Sequence, residues 1–298
     1  MDGAWGELYT GNDEEADVLI KGIPFDGATS CGKGAWLAPS RIRHLSGFMP
    51  PVTEDGVILE RIKVADLGDI SLDLNWERYF ATIEEEASRM IGTGKFCLFL
   101  GGDHSITIPL QRALAKVNRG EPFAVIHFDA HTDLCDEYDG HKWSHACTER
   151  RALDLPGIGP AALTFLGVRS YEPQEVEFLR AHPEVRIISA SEVYRHGIEK
   201  AVEVILGRAS KYESVYFTLD IDVLDPGFAP GTGTPEGGGI STRELLEAVK
   251  VLVSNLPIKV MDVVEVAPPL DISDITSWAA LKVIYEAFGA LSSKHVAG

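Results

Sequence analysis

Short apolar, β-branched runs recur along this 298-residue chain, each separated from the next by a longer segment of helical periodicity. The runs at 17–23 (DVLIKGI), 96–100 (FCLFL), 123–128 (FAVIHF), 163–167 (LTFLG), 185–189 (VRIIS), 214–219 (SVYFTL) and 258–266 (IKVMDVVEV) read as strands. Helices are predicted near 77–92, 105–118, 173–182, 191–208, 242–254 and 274–291. Strands alternating with helices pair in parallel, with helices on both faces, and near-continuous apolar runs suit strands buried on both sides. The expectation is an α/β fold: a single three-layer α/β/α domain over residues 1–298 with a mainly parallel central sheet. No Pro/Ser linker, charge block or internal repeat divides the chain.

The polar residues fall at particular places on this pattern. GGDHS (101–105) follows FCLFL directly, DAHTD (129–133) follows FAVIHF, DID (220–222) follows SVYFTL, and Glu265 lies near the end of IKVMDVVEV. In an open α/β sheet, ligands bind in the crevice beyond the carboxyl ends of the strands, so four polar clusters converge on one region. Residues two apart in extended chain share a side; Asp129, His131 and Asp133 could therefore face one centre, as could Asp220 and Asp222. Taken singly, each is weak. A lone Asp after a strand is usually a turn residue or a helix N-cap, and Asp103 could be that for the helix beginning near Ser105.

Four carboxylates with no Lys or Arg nearby in sequence would repel one another strongly when buried. Divalent cations are the natural compensation. The ligand set of four Asp and two His (His104, Asp129, His131, Asp133, Asp220 and Asp222) contains no sulfur and selects a fairly hard ion. Mn²⁺ suits carboxylate plus imidazole best, with Co²⁺, Ni²⁺ or Zn²⁺ possible on affinity grounds. Six ligands exceed what one catalytic ion needs while keeping an open position, so two ions per subunit are expected. A structural zinc site from Cys135, His141, His145 and Cys147 is a lesser alternative, because its spacing matches no familiar finger.

The net charge of −18 argues against nucleic acid or an anionic membrane as a partner and suits a small cationic substrate. The acidic start MDGAWGELYTGNDEEAD lacks the basic residues and apolar core of a signal peptide, so a cytoplasmic location is expected. Cys31, Cys97, Cys135 and Cys147 are too few for a disulfide scaffold and read as reduced thiols.

These motifs resemble those of the ureohydrolase family, which includes arginases and agmatinases. The matching segments are GGDHS (101–105), DAHTD (129–133), SHACTERR (144–151), LDIDVLDPGFAPGTGTPEGGG (219–239) and VVEVAPPLD (263–271), with weaker similarity at 22–43 and LGVRS (166–170). The resemblance implies one α/β/α domain with two Mn²⁺ ions and assembly into trimers or hexamers. It implies His104, Asp129, Asp133 and Asp220 as ligands of one ion and Asp129, His131, Asp220 and Asp222 as those of the other. The GTGTPE stretch (231–236) is more agmatinase-like than arginase-like, since arginases generally carry an apolar residue where Glu236 stands. Three departures occur: Ala146 follows His145 where Gly is usual, EVAP stands for EVNP at Glu265, and PEGGG for PEPGG.

The implied reaction is hydrolysis of a small cationic guanidine, with agmatine giving putrescine and urea preferred. Glu265 would grip the guanidinium, Asp133 would hold and pass on the proton, and His145 would exchange protons with solvent. Substrate-tail contacts are expected in the loops 134–147 and 225–238. The same chemistry on guanidinobutyrate, guanidinopropionate, formiminoglutamate or arginine is the nearest alternative. A metal-dependent deacetylase and a non-catalytic metal-binding member stand further off.

Overall fold

The computed structural model describes residues 3–297. Its strands are β1 (Val18–Gly22), β2 (Val64–Asp69), β3 (Phe96–Leu100), β4 (Ala124–Phe128), β5 (Leu163–Val168), β6 (Arg186–Ser189), β7 (Val215–Asp220) and β8 (Ile258–Val264). They form one sheet in the order β2-β1-β3-β8-β7-β4-β5-β6, with every neighbouring pair parallel. The helices are α1 (Ala38–Ser46), α2 (Trp76–Ile91), α3 (Thr107–Val117), α4 (Thr148–Ala152), α5 (Pro173–Ala181), α6 (Ala190–His196), α7 (Ile198–Ala209), α8 (Thr242–Asn255) and α9 (Ile275–Ala297).

Strand alternation builds a core on each face of the sheet. Ile126, Phe128, Phe217, Leu219, Met261 and Val263 point to the layer of α1, α7, α8 and α9. Val125, Tyr216, Val260 and Val264 point to the layer of α2 and α3. The result is a single three-layer α/β/α domain, as the alternation of runs implied. Helix starts follow their local sequence: Asn75 caps α2 by accepting from Arg78 N–H, and Ser241 and Glu244 form a reciprocal capping box at α8.

Four elements differ from the sequence reading, the short helix α4 among them, which no predicted helix covers. Strand β2 (VADLGD) was not expected; it is an edge strand whose second half is not buried, so it carries no apolar run. Helix α1 was also missed, its start marked by Pro39 and its buried Arg43 tied to Asp66 and Asp69 of β2. The single helix expected over 191–208 is two, because Gly197 adopts φ 84°, outside helical space, between α6 and α7.

Four adjacent central strands, β3, β8, β7 and β4, carry the polar clusters at their carboxyl ends. Their burial is complete along most of their length, so the side chains just beyond them open onto one crevice.

Candidate metal centre

The GGDHS turn begins where β3 ends. A Cβ on Gly102 would lie 1.6 Å from the Phe25 carbonyl oxygen, so the chain passes there only as glycine. Asp103 is the N-cap foreseen for this turn: its carboxylate accepts from Ser105 N–H at 3.0 Å and from Ala28 N–H at 2.8 Å. Asp103 therefore holds the loop, and His104 is the residue turned to the crevice.

His104 Nδ1 lies 3.1 Å from Asp129 Oδ2, 3.1 Å from Asp133 Oδ2 and 3.2 Å from Asp220 Oδ2. Yet Nδ1 and Asp133 Oδ2 are buried with no aligned hydrogen-bond partner. The other ring nitrogen explains this. Thr218 donates its hydroxyl hydrogen to Asp262 Oδ1 at 2.6 Å, so at 2.8 Å from His104 Nε2 it must accept. Nε2 thus carries the hydrogen and Nδ1 presents a lone pair to three carboxylate oxygens. A nitrogen and three carboxylate oxygens converging in this way could hold one divalent ion.

A second group adjoins the first. His131 Nδ1 lies 3.1 Å from Asp129 Oδ1 and 3.2 Å from Asp222 Oδ2. Asp129 contributes one oxygen to each group, as a bridging carboxylate does. Both groups, one of His104, His127, Asp129 and Asp133 and the other of Asp129, His131 and Asp222, have spacings that could hold an ion. Among the described residues no such grouping contains a cysteine; Cys135 and Cys147 are buried free thiols and Cys31 is an exposed one.

The local backbone is not the extended chain assumed above. Asp133 adopts φ 51° and Asp222 sits in a 3-10 turn, Ile221–Val223, capped by Asp220. Asp133 is held in the left-handed region because its carbonyl accepts from the N–H groups of Glu149 and Arg150, at the start of α4. The carboxylates still converge, through turns rather than through a period of two.

Electrostatics point the same way. Burial, reinforced by the charge of Asp129, pushes the Asp133 carboxyl up to about 7. Burial and neighbouring carboxylates also raise Asp220 and Asp222. A buried carboxylate group of this kind resists full ionisation until a cation enters it.

His127, which the sequence reading passed over, supplies part of the missing positive charge. Its Nε2 lies 2.9 Å from Asp129 Oδ2 and its Nδ1 2.9 Å from Glu149 Oε1. Burial opposes a charge on this ring, but the two carboxylates outweigh it and lift its pKa to about 9. His127 shares a strand face with Asp129 two residues on, a signal that period-two reading of FAVIHFDAH could have found.

Glu265 is 2% exposed, with φ 61°, so it is not a solvated strand-end carboxylate. Its Oε1 accepts from His104 N–H at 2.8 Å and lies 3.4 Å from His145 Nδ1. His145 opens a 3-10 turn, and its Nε2 meets Ser30 Oγ at 2.9 Å. Burial lowers the His145 pKa, but Glu265 outweighs it and carries the ring to about 9, above the near-neutral range expected. His141 is exposed and packs on Trp76 instead.

A cavity of about 340 Å³ lies over these groups. Tyr138, His145 and Ala146 line it from the loop 134–147, and Thr234, Pro235 and Glu236 from the loop 225–238. Ser30, Cys31 and Ser170 join them from segments that carried only weaker similarity, with Tyr171 just beyond. Glu265 does not itself line the cavity, although His145 does.

Imidazoles and carboxylates gathered at the ends of central parallel strands, under an open cavity, define a metal-dependent hydrolase of the α/β class. The comparisons agree. The arginase family model matches residues 16–289. An agmatinase of Bacillus anthracis is 39% identical over 279 residues, covering 92% of this chain and 91% of that one. Proclavaminate amidinohydrolase of Streptomyces clavuligerus is 35% identical over 274 residues, covering 90% and 85%. The crystal structure of agmatine ureohydrolase of Thermoplasma volcanium superposes with a TM-score of 0.87 at 32% identity, covering 100% and 96%. The chain belongs to the arginase family, and it is an amidinohydrolase of that family.

Proposed function

We propose that the protein hydrolyses agmatine to putrescine and urea, using two Mn²⁺ ions held by His104, Asp129, His131, Asp133, Asp220 and Asp222. The observation that carries the choice of substrate is the cavity wall. It contains Glu172, Glu175 and Glu236 and no Lys or Arg, so it suits a guanidine with a cationic tail and penalises one ending in a carboxylate. Glu236 is partly exposed, and its Oε1 accepts from Ser170 Oγ at 3.1 Å, which leaves its other oxygen for a ligand ammonium.

When bound, the two ions lower the pKa of water to about 7 and so supply hydroxide near neutral pH. Glu265 pairs with the guanidinium and fixes its approach. His145, beside Glu265 Oε1 and at the cavity wall, exchanges protons with solvent. The other oxygen of Asp133, the one not turned to His104, receives the proton released as the C–O bond forms and returns it to the departing amine as the C–N bond breaks. Water is consumed, and urea and the diamine leave.

The same reading carries a trimeric or hexameric assembly, by resemblance, together with the cytoplasmic location expected from the sequence. Among the described residues, no helix is long and apolar enough to cross a membrane. The test is urea release from agmatine, guanidinobutyrate and arginine by Mn²⁺-loaded protein, beside metal analysis. Faster turnover of either carboxylate-bearing guanidine sinks the substrate assignment. Normal metal content and turnover in Asp129→Asn and Asp220→Asn sink the centre itself.

A further inference from the structure

Behind the crevice, a line of buried polar side chains leads away from Asp129 into the layer of α3 and α4. Asp129 Oδ2 is 2.9 Å from His127 Nε2, and His127 Nδ1 is 2.9 Å from Glu149 Oε1. Gln111 of α3 then donates from Nε2 to both Glu149 oxygens, at 3.0 and 3.2 Å. Gln111, His127 and Glu149 are all 0% exposed and Asp129 is 1% exposed. The His127 ring is stacked on His104 with centroids 4.8 Å apart and also packs against Phe165 at 4.8 Å.

Burying two carboxylates, an imidazole and an amide in an apolar layer is costly, and apolar residues of similar volume would pack there at no electrostatic cost. Gln111, Glu149 and His127 are absent from the cavity wall, and the crevice-facing group nearest to them is Asp129. Their contacts end on the carboxylate that belongs to both candidate ion sites. A hydrogen bond to one oxygen of that carboxylate fixes the plane of the group and therefore where both oxygens point.

We propose that Gln111, Glu149 and His127 are a positioning relay that orients Asp129 and thereby sets the affinity of both ion sites. The inference rests on the two-ion reading above. Because Glu149 is in α4, immediately after the turn that carries His145, the relay also ties that turn to the bridging carboxylate. His104 has its own support through Thr218 and Asp262, so the two stacked histidines have different outer partners and meet at Asp129 Oδ2.

The experiment is titration of metal-free protein with Mn²⁺ alone, followed by calorimetry, for the native chain, Glu149→Leu, Glu149→Gln and Gln111→Leu. Loss of such outer partners lowers metal affinity by about 10- to 100-fold, and that is expected for Glu149→Leu. Glu149→Gln keeps an acceptor for the His127 ring and should recover most of the loss. Gln111→Leu, at the far end, should lose less than Glu149→Leu but still more than twofold. At saturating Mn²⁺ the KM for agmatine should stay native in all three. A melting curve of each metal-free variant separates general destabilisation from loss of metal.

Native protein that binds no Mn²⁺ would overturn the metal centre and the relay together. Native protein that binds two ions, beside a folded Glu149→Leu with affinity within twofold of native, overturns the relay alone. Should Glu149→Leu not fold, Gln111→Leu decides the matter on the same twofold criterion.

Discussion

The hydroxyl of Thr218 stands 2.8 Å from His104 Nε2 and is already committed as a donor to Asp262. One threonine thereby determines which nitrogen of a histidine faces the carboxylates. Replacing it by valine keeps the shape and removes the acceptor. A buried N–H is then left unsatisfied, at a cost of about 1–3 kcal/mol. Thr218→Val should bind Mn²⁺ about 10-fold or more weakly. Calorimetric titration checks this, and native affinity would show that the ring needs no such support.

Gly102 tolerates no side chain, since its Cβ would overlap the backbone of Phe25 and not a side-chain tip. Gly102→Ala should destabilise the fold by about 3 kcal/mol or more, as forced overpacking does. It should also displace His104, two residues on. Denaturant unfolding measures the first effect and metal content the second.

Arg169 gathers the loops on the far side of the cavity. Its guanidinium donates to the carbonyls of Gly167, Asp222, Val223, Leu224 and Glu236. Arg169→Leu should cost about 3 kcal/mol or more, since hydrogen bonds to a charged donor are individually strong. The KM for agmatine should rise, because the turn bearing Asp222 and the loop bearing Glu236 both lose their tie. Arg169→Lys cannot span five carbonyls and should recover only part of either effect.

Acid stability has a separate origin. The hydrogen bond from Arg243, opposed by burial and aided by Lys250, lowers the Glu54 carboxyl from 4.5 to about 2. A depressed carboxyl contributes stability that is complete above its unfolded value and lost as pH falls through its folded one. That loss should run from about pH 4.5 to about pH 2. Glu54→Gln should remove the pH dependence in this window. The difference at neutral pH is on the order of 1 kcal/mol, since Arg243 is largely exposed and solvent screens the pair. Circular dichroism across the acid range follows it.

The sequence made the central strands legible because they are apolar on both faces; β3 and β4 are the clearest cases. It hid β2, whose two Asp, one Gly and partly exposed second half carry no such mark. Six site residues were readable as types at strand ends, but not their conformations. The left-handed φ of Asp133 depends on N–H groups sixteen and seventeen residues on, which no local pattern encodes. Glu149 was invisible for a related reason, and His127 was passed over despite its period-two relation to Asp129: a histidine in an apolar run looks like core until its two partners, one just beyond the strand and one from a helix, are in place. Glu265 was found in the sequence, yet its burial beside His145 came only from the fold.

The strand order has a consequence for how this centre comes into being. Strands β3 and β4, consecutive in the chain, are not neighbours; β8 and β7 lie between them. A nascent chain that has emerged only as far as residue 214 possesses His104, Asp129, His131 and Asp133, but not the two strands that set them at the right spacing. The ion site is therefore among the last features to be assembled, after the longest-range strand pairings have closed, which are the slow ones in folding. Metal uptake reports completion of the sheet, and a chain that captures Mn²⁺ stoichiometrically has already inserted its final two strands.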